Sequence, residues 1–564
     1  MNTFENFYNL CVLKHFKMNV EEVLNYCPNV NISNEESETH SNHKRKRIDS
    51  NVELSLQDID EIISRTNENI SEIDEHSLKR LISQLERKIS KNQEMRIKFN
   101  DNPSKFMDSE IELYEVIKEM HNVSTQPALY QILIESQIIQ KLIGLLSHEN
   151  SDIACAIVAL IQELTDIAEN DELAKTRQLM ETFLKNQIIL LLVNNLERLD
   201  ENVKEESEGI HNTLAIIENL TEFSMDFSGD LRPLIQWLLR KLKSKPIFYP
   251  NKLYAAEILS ILMQGNPQCL NIVGSLNGID ILLHLVSYYK RHEPSTADEE
   301  EFIHNLFNCL CSSLFECDQN RELFYKAEGI ELMILILKEK RSKESTSDVR
   351  TCALRLLYYC FNVMKSDDLL RSMCDKLIQV LGLRVLMPIF LKPTLILSHK
   401  VKRKQSSIEQ VEEHTITILL TLIRYCSDEN KLRILNKFTE QNGVKTERLV
   451  ELHLKYYENV KQSNEKLQSM NEKDEIVGQY FRSESGKLIT LEAIDQVMIL
   501  IAYEQPSDTK NSYHIKESLR KLLSMHQVDH IESIKSMVKQ IALDESEDNQ
   551  EYSKHLISAV EAFA

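Results

Sequence analysis

In this 564-residue chain, the side chains that could bind a partner or react are mainly charged ones that occur in clusters. The densest acidic stretch runs from Glu197 to Glu208, and its Asp200, Glu201, Glu205 and Glu208 are the candidates for an acidic docking surface. If the stretch is helical, the last three of these share one face and could bind Lys and Arg side chains of a partner. A solvated helix face, or a helix start favoured by its dipole, is the alternative interpretation. Because one exposed ion pair contributes only about 0 to 1 kcal/mol, docking would need several pairs and an apolar anchor.

Motifs typical of catalysis are missing from the sequence. It contains no P-loop, no Gly-x-Ser-x-Gly, no paired Cys-x-x-Cys and no His-Glu-x-x-His. His211 and the pair Glu413-His414 stand isolated, which favours hydrogen-bonded histidines over ligands. The cluster Cys309, Cys311 and Cys317 lacks a zinc-site spacing, and most other cysteines lie in apolar runs, typical of buried thiols in a reducing compartment. We therefore predict a protein that is not an enzyme, with no catalytic, cofactor or metal residue.

A basic run stands near the start of the chain. Lys44, Arg45, Lys46 and Arg47 are consecutive and lie within the polar residues 29–58. Such a polar segment buries too little apolar surface to order itself, which leaves the cations open to a receptor. The run predicts a nuclear import signal and a nuclear protein, with an ordinary solvated charge run as the alternative.

The elements that must position these groups are set by a repeat. A leucine-rich motif begins at Leu142, Leu191, Leu234, Ile281, Leu332 and Leu386, at offsets of 49, 43, 47, 51 and 54 residues. Spacing of this kind is typical of armadillo or HEAT units. Each motif is followed by a second apolar helical run, so we expect pairs of helices that stack and bury a continuous core. The array would bind extended partners along one surface.

Composition agrees with an all-α fold, an armadillo/HEAT-type α-solenoid superhelix. The chain has only 11 Gly and 11 Pro, whereas sheet proteins need more turn residues.

Acidic residues outnumber basic ones by 87 to 66, giving a formal charge of −21. This balance repels phosphates and argues against direct nucleic-acid binding, and it favours basic protein segments as partners. No run of about 18 uncharged apolar residues predicts a membrane span.

The pattern divides the chain into four parts. We predict a disordered leader over 1–54, an N-terminal helical cap over 55–130, armadillo-like repeats over 131–440 and a helical region over 441–564. Gly278, Gly329 and Gly382, which precede leucine-rich runs, are expected to end one helix and allow a sharp turn into the next. Residues 462–487 are polar and predict a loop. Trp237 shares a run with leucines and is expected in the core.

Several long, non-repetitive strings resemble one family. They are residues 91–99, 101–107, 195–200, 211–219, 251–254, 290–297 and 435–440. In these strings the chain resembles the beta-catenin-like family of nuclear, spliceosome-associated armadillo-repeat proteins, and the resemblance covers nearly everything after residue 17. Residues 18–28 look like the family's opening, so 1–17 are interpreted as an upstream extension.

The resemblance implies a function that spacing does not. Family members look like non-enzymatic adaptors of the spliceosome's Prp19-type complex, which bind basic segments of splicing factors, among them a Myb-like protein, and act in pre-mRNA splicing. One alternative is a nuclear import adaptor that carries cargo itself, and another is an enzyme with an unrecognised site. Self-association into a homodimer through exposed C-terminal helices is left open.

Overall fold

The computed structural model describes residues 73–166, 173–223, 231–315, 317–339, 348–361, 367–398, 404–469, 475–505, 514–526, 529–544 and 550–563. Within these ranges the chain forms helices and turns, with no strand, so the predicted all-α class is confirmed. Contacts divide the described residues into a first unit, 73–241 with 250–262, and a second unit, 242–249 with 263–563. The import signal at Lys44 to Arg47 and the whole predicted leader lie outside the described residues. The four predicted domain boundaries stay predictions.

Helices α1 to α10 follow in order: α1 Glu75–Lys98, α2 Met107–Met120, α3 Tyr130–Glu135, α4 Ile138–Leu145, α5 Ser151–Thr165, α6 Leu173–Lys185, α7 Ile188–Leu196, α8 Lys204–Phe223, α9 Arg232–Lys243 and α10 Pro250–Met263. Helices α11 to α19 are α11 Pro267–Ser275, α12 Gly278–Tyr288, α13 Ala297–Leu314, α14 Asp318–Lys326, α15 Gly329–Lys338, α16 Val349–Cys360, α17 Asp367–Gln379, α18 Leu383–Leu391 and α19 Gln405–Tyr425. The remaining helices are α20 Asp428–Thr439, α21 Val444–Ser469, α22 Glu475–Tyr503, α23 Ile515–Leu523, α24 His530–Asp544 and α25 Gln550–Phe563. Short 3₁₀ turns span Pro103–Lys105, His121–Val123, Pro127–Leu129, Pro393–Leu395 and Glu440–Gly443.

The repeat contains three helices rather than the expected two. Each predicted leucine-rich run is a helix (α4, α7, α9, α12, α15 and α18), and each is followed by the predicted second helix (α5, α8, α10, α13, α16 and α19). A further helix precedes the leucine-rich one in most repeats, for example α11 before α12 and α14 before α15. The buried face of the leucine-rich helix carries apolar side chains such as Leu192, Leu282 and Met333, each with 0% exposure, whereas Leu190 and Leu335 are 45% and 46% exposed.

The turn into the leucine-rich helix uses a left-handed residue that is not glycine. The residues with positive φ are Gln137 (57°), Gln187 (57°), Asn277 (57°), Glu328 (58°) and Leu381 (64°). The predicted glycines follow these residues, and Gly382 itself has an ordinary φ of −55°. A Cβ on Gly329 would overlap the ring of Phe324, and one on Gly382 would lie 2.7 Å from the carbonyl oxygen of Leu377. The prediction that glycine makes the turn is therefore wrong, because at these two sites glycine permits close approach to the preceding helix.

The last helix of each repeat packs on its counterpart in the next. In the first unit α5 contacts α2 and α8, and in the second unit α13, α16, α19 and α22 contact one another in succession.

Trp237 is buried at 5% exposure, as predicted. Among the described cysteines none is disulfide-bonded; Cys155 and Cys317 are half-buried and the remainder are buried. In the described part of the chain no single helix is long and apolar enough to span a membrane. The pair α11 and α12, with a bend of 77° between them, has the length and composition of a broken span and nothing further that indicates one.

Helix α1 continues to Lys98 because Leu85, Ile89 and Asn92 keep one face buried. One prediction about local structure is wrong. Residues 462–487 were expected to form a loop, but α21 continues to Ser469 and α22 begins at Glu475. Polar composition did not decide the structure there, since α21 and α22 pack closely on each other.

A buried polar chain links three helices of the second unit. Nδ1 of His453 on α21 lies 2.6 Å from Oδ1 of Asp495 on α22, and its Nε2 lies 3.2 Å from Nδ1 of His530 on α24. Exposure is 0% for His453, 1% for Asp495 and 5% for His530. If His453 donates from Nδ1, its Nε2 can accept from His530, so the hydrogen-bond chain has one consistent direction.

Candidate peptide-docking surface

The predicted acidic patch is divided between a turn and a helix. Helix α8 begins only at Lys204, so Glu201 precedes it and does not share a helical face with Glu205 and Glu208. Asp200 organises the turn: its Oδ1 accepts from the backbone N–H of Asn202 at 3.0 Å and from its amide at 2.8 Å. These two hydrogen bonds lower the pKa of the exposed Asp200 carboxyl.

Glu201 is used within the protein. Its carboxylate pairs with Lys241 and accepts from Nδ2 of Asn251 at 2.6 Å and from the hydroxyl of Ser207 at 3.3 Å. Burial lowers the pKa of Lys241 to about 8, partly opposed by Asp200. Because these contacts fix α8 to α9 and α10, Glu201 contributes little to a partner. Of the predicted residues, Glu205 and Glu208 remain exposed on α8.

A second group of carboxylates lies at the other end of the same helix. This acidic cluster comprises Asp166, Glu218 and Glu222. Burial raises the pKa of Glu222, and Glu218 and Asp166 raise it further by like-charge repulsion. Glu218 accepts a hydrogen bond from the hydroxyl of Tyr254, but no cation pairs with Glu222 among the residues that the structure describes. The cluster is thus a concentration of negative charge that the described side chains leave largely uncompensated.

The acidic cluster lies at or near the C-terminal ends of its helices, which makes the local electrostatic potential more negative. Asp166 is the C-cap of α5, and Glu222 lies in the last turn of α8, which ends at Phe223. The C-terminus of a helix carries a partial negative charge, so carboxylates are disfavoured there and cations are favoured. In sequence, the stretches 167–172 and 224–230 that follow the two helices contain five acidic residues, at positions 169, 171, 172, 226 and 230, and no Lys or Arg. A cationic side chain would relieve this repulsion.

The two helices are held in register at this end. Nδ2 of Asn219 on α8 donates to the hydroxyl of Thr165 on α5 at 3.2 Å. Also on α5, Oε2 of Glu163 lies 2.8 Å from Nδ1 of His121, which begins the 3₁₀ turn after α2. Sequence reasoning missed the acidic cluster because its members come from two helices more than 50 positions apart, and only knowledge of the pairing of α5 with α8 brings them together.

In the second unit, helices α13, α16 and α19 correspond to α5 and α8 and carry polar groups, two of which have shifted pKa values. Burial raises the pKa of Glu413 to about 7 and lowers that of His414 to about 3. The ring of His414 packs on Tyr358 with centroids 4.5 Å apart, and Nη2 of Arg355 donates to Asn308 at 2.8 Å. His211 also packs on a tyrosine ring, that of Tyr254, with centroids 5.1 Å apart. Nδ1 of His414 is buried and has no hydrogen-bond partner among the described residues, so the expected hydrogen bond is not found at that nitrogen.

Comparisons with known proteins agree on one family. A family model described as "Catenin-beta-like, Arm-motif containing nuclear" matches residues 57–539. Beta-catenin-like protein 1 of Homo sapiens is 40% identical over 485 residues, covering 83% of this chain and 82% of that protein. The protein of the same name from Rattus norvegicus is 44% identical over 410 residues, covering 72% and 69%. The Beta-catenin-like protein 1 homolog of Schizosaccharomyces pombe is 31% identical over 383 residues, covering 67% and 63%.

Proposed function

We infer the function from one premise: the chain belongs to the catenin-beta-like, Arm-motif containing nuclear family. It is accordingly a nuclear armadillo-type repeat protein. We propose that it is a non-enzymatic scaffold in pre-mRNA splicing, associated with the Prp19-type complex of the spliceosome. Its partners in this proposal are basic segments of splicing factors, including a Myb-like protein.

The observation that carries the binding part of the proposal is the acidic cluster. Burial, then Glu218 and Asp166, raise the pKa of Glu222, and Asp166 and Glu222 lie at the negative ends of two helices. A Lys or Arg side chain bound here would neutralise both the carboxylates and the negative helix ends. The arrangement therefore favours a cationic ligand. This supports a basic partner, and in this proposal the partner contacts the last helices of successive repeats in the first unit.

The mechanism follows from what each kind of contact contributes. The carboxylates attract and orient a basic segment and increase its association rate. Most of the affinity must come from a few apolar or aromatic anchors, since exposed charges alone contribute little. Helices fixed by contacts such as Asn219 to Thr165 provide a surface that needs little reorganisation on binding. No step of bond making or breaking is involved.

The experiment compares two carboxylate pairs in the same full-length chain. The probe is a fluorescent peptide Gly-Ser-Lys-Arg-Lys-Arg-Gly-Ser, with a second peptide in which Gln replaces each cation. The test variant carries Asp166→Asn and Glu222→Gln, and the matched control carries Glu205→Gln and Glu208→Gln, which also loses two negative charges. We expect the test variant to bind the basic peptide roughly 3- to 30-fold more weakly at low ionic strength, from two contacts of about 0.3 to 1 kcal/mol each.

The control variant separates a local site from general attraction to an acidic protein. We expect it to lose less than roughly 2-fold in affinity and to keep the salt dependence of the wild type. Equal losses in both variants would mean that net charge alone attracts the peptide. A loss confined to the Glu205 and Glu208 variant would assign docking to the patch predicted from the sequence and remove the acidic cluster from the proposal.

A further inference from the structure

Two pairs of metal-ligating residues face each other in the second unit. Glu300 and His304 stand four residues apart on α13, and Asp348 and Cys352 stand four residues apart at the start of α16. Residues at i and i+4 lie on the same face of a helix, one turn apart. Because α13 packs on α16, the two pairs meet between the helices. The set offers two carboxylates, an imidazole and a thiol.

Three members of this set lie close to one another, and Cys352 lies beside one of them. Single ligand atoms of Glu300, His304 and Asp348 lie within 4.8 Å of one another. Sγ of Cys352 lies 3.4 Å from Nδ1 of His304. In a tetrahedral zinc site with Zn–N of about 2.05 Å and Zn–S of about 2.3 Å, the nitrogen and sulfur ligands are separated by about 3.5 Å. The His304–Cys352 pair therefore already has the separation that a bound ion would impose, and Glu300 and Asp348 lie near the same imidazole.

The side chain of Asp348 gives an independent indication. Asp348 occupies the N-cap position of α16, where aspartate usually accepts a hydrogen bond from the helix's first turn, yet it makes no such bond. Its Oδ1 is buried and has no hydrogen-bond partner among the residues that the structure describes. A buried carboxylate oxygen without a partner is costly. A metal ion between α13 and α16 would satisfy it.

We propose that Glu300, His304, Asp348 and Cys352 bind one divalent transition-metal ion, with Zn²⁺ the best match. Imidazole and thiolate ligands disfavour Mg²⁺ and Ca²⁺, which prefer all-oxygen shells. Four protein ligands close the shell, which is typical of a structural rather than a catalytic zinc site. The ion would join the long helix of one repeat to that of the next. This site is independent of peptide docking by the first unit, and it departs from the expectation of no metal that the spacing of Cys309, Cys311 and Cys317 favoured.

Metal titration of the chelator-treated full-length protein tests the site. Zn²⁺ is titrated in competition with a chromophoric chelator, and Co²⁺ is titrated separately to record its visible spectrum. We expect one Zn²⁺ per chain, the d–d bands of tetrahedral Co²⁺ and a thiolate-to-Co²⁺ charge-transfer band that Cys352→Ser abolishes. Glu300→Gln and His304→Gln should each weaken Zn²⁺ binding at least about 100-fold, more than the 10- to 100-fold typical of losing an outer-shell partner.

The matched control is Glu301→Gln, which changes the neighbouring exposed carboxylate on the same helix and should leave Zn²⁺ binding unchanged. Glu300 is half-buried on α13, so its Gln variant should fold even if His304→Gln does not; circular dichroism checks both. Lack of one-to-one binding by the wild type would overturn the proposal, as would affinity that Glu300→Gln and Glu301→Gln change equally. Stoichiometric Co²⁺ without a thiolate band would overturn the four-ligand site.

Discussion

Replacing Asp495 with Ala should open the C-terminal helices of the second unit. The change removes the acceptor 2.6 Å from Nδ1 of His453, where both side chains are no more than 1% exposed. No water can reach the abandoned N–H without local opening, so the histidine is left buried and unpaired. Losing a buried hydrogen bond to a carboxylate and leaving its N–H donor unpaired costs about 1.5 to 3 kcal/mol. The bond from His530 to Nε2 of His453 would weaken as well, because it depends on the same orientation of the ring.

Hydrogen exchange resolved by peptide is the suitable assay. A chain of two units has no single free energy of unfolding, whereas exchange reports the opening of each helix separately. A loss of about 1.5 to 3 kcal/mol corresponds to exchange roughly 10 to 150 times faster in α21, α22 and α24. Peptides from α4 to α8 should be unchanged and act as an internal reference.

Two further variants identify the cause. Asp495→Asn keeps an oxygen that accepts from His453 and should cost about 1 kcal/mol, since only the charge assistance is lost. Glu532→Ala removes a carboxylate that is 65% exposed and paired with Lys535, and should cost less than about 1 kcal/mol. The reasoning is refuted if Asp495→Ala changes exchange less than tenfold, or if the Asn variant is as damaged as the Ala variant.

Three other substitutions test the packing and the titration of single residues. Gly329→Ala should destabilise the second unit by about 1 to 3 kcal/mol in peptide-resolved hydrogen exchange, because its Cβ would overlap Phe324. Gly144→Ala, with nothing within 4 Å of the new Cβ, should be neutral or stabilising by up to about 1 kcal/mol. Leu381→Gly should stabilise the second unit by up to about 1 kcal/mol, since the leucine has a φ of 64° and is 46% exposed. A loss of stability above about 1 kcal/mol would contradict backbone strain at this residue. Burial, then Asp495 and Asp544, raise the pKa of Glu492 to about 8, so its contribution to stability is present below about pH 4.3 and is lost as pH rises to about 8. Glu492→Gln should therefore match the wild type near pH 4 and exceed it by at least about 1 kcal/mol at pH 8 in the same assay; parallel pH profiles would contradict the shift.

The repeat and its helices could be predicted because they depend on local periodicity. The leucine-rich runs at Leu142 and Leu332 show apolar spacing within a single window, and the structure places α4 and α15 there. The third helix was missed where its pattern is short or polar, as in α14, which has only a few buried residues such as Asn320, Arg321 and Phe324. Propensity is weak in such segments, and contacts with the rest of the repeat decide the structure.

The candidate sites were harder to predict because they join distant parts of the chain. The acidic patch at Asp200 to Glu208 was visible since its charges are consecutive, but sequence alone did not show that Glu201 is neutralised by Lys241, 40 positions later. Glu222 stands in a run with no unusual charge density, and its neighbour Asp166 belongs to the preceding repeat. Proximity of this kind depends on the register of α5 against α8, which single-sequence periodicity does not determine.

The buried thiols supply natural reporters of opening. Cys269, Cys309, Cys360 and Cys374 lie on four different helices of the second unit, and burial raises the pKa of each, to about 11 for Cys269 and about 12 for Cys360. Only the thiolate reacts with alkylating reagents, so these sites stay unlabelled while the helices are closed. Pulsed alkylation followed by mass spectrometry would therefore reveal the sequence in which the repeats unravel, on the native chain and with no introduced probe.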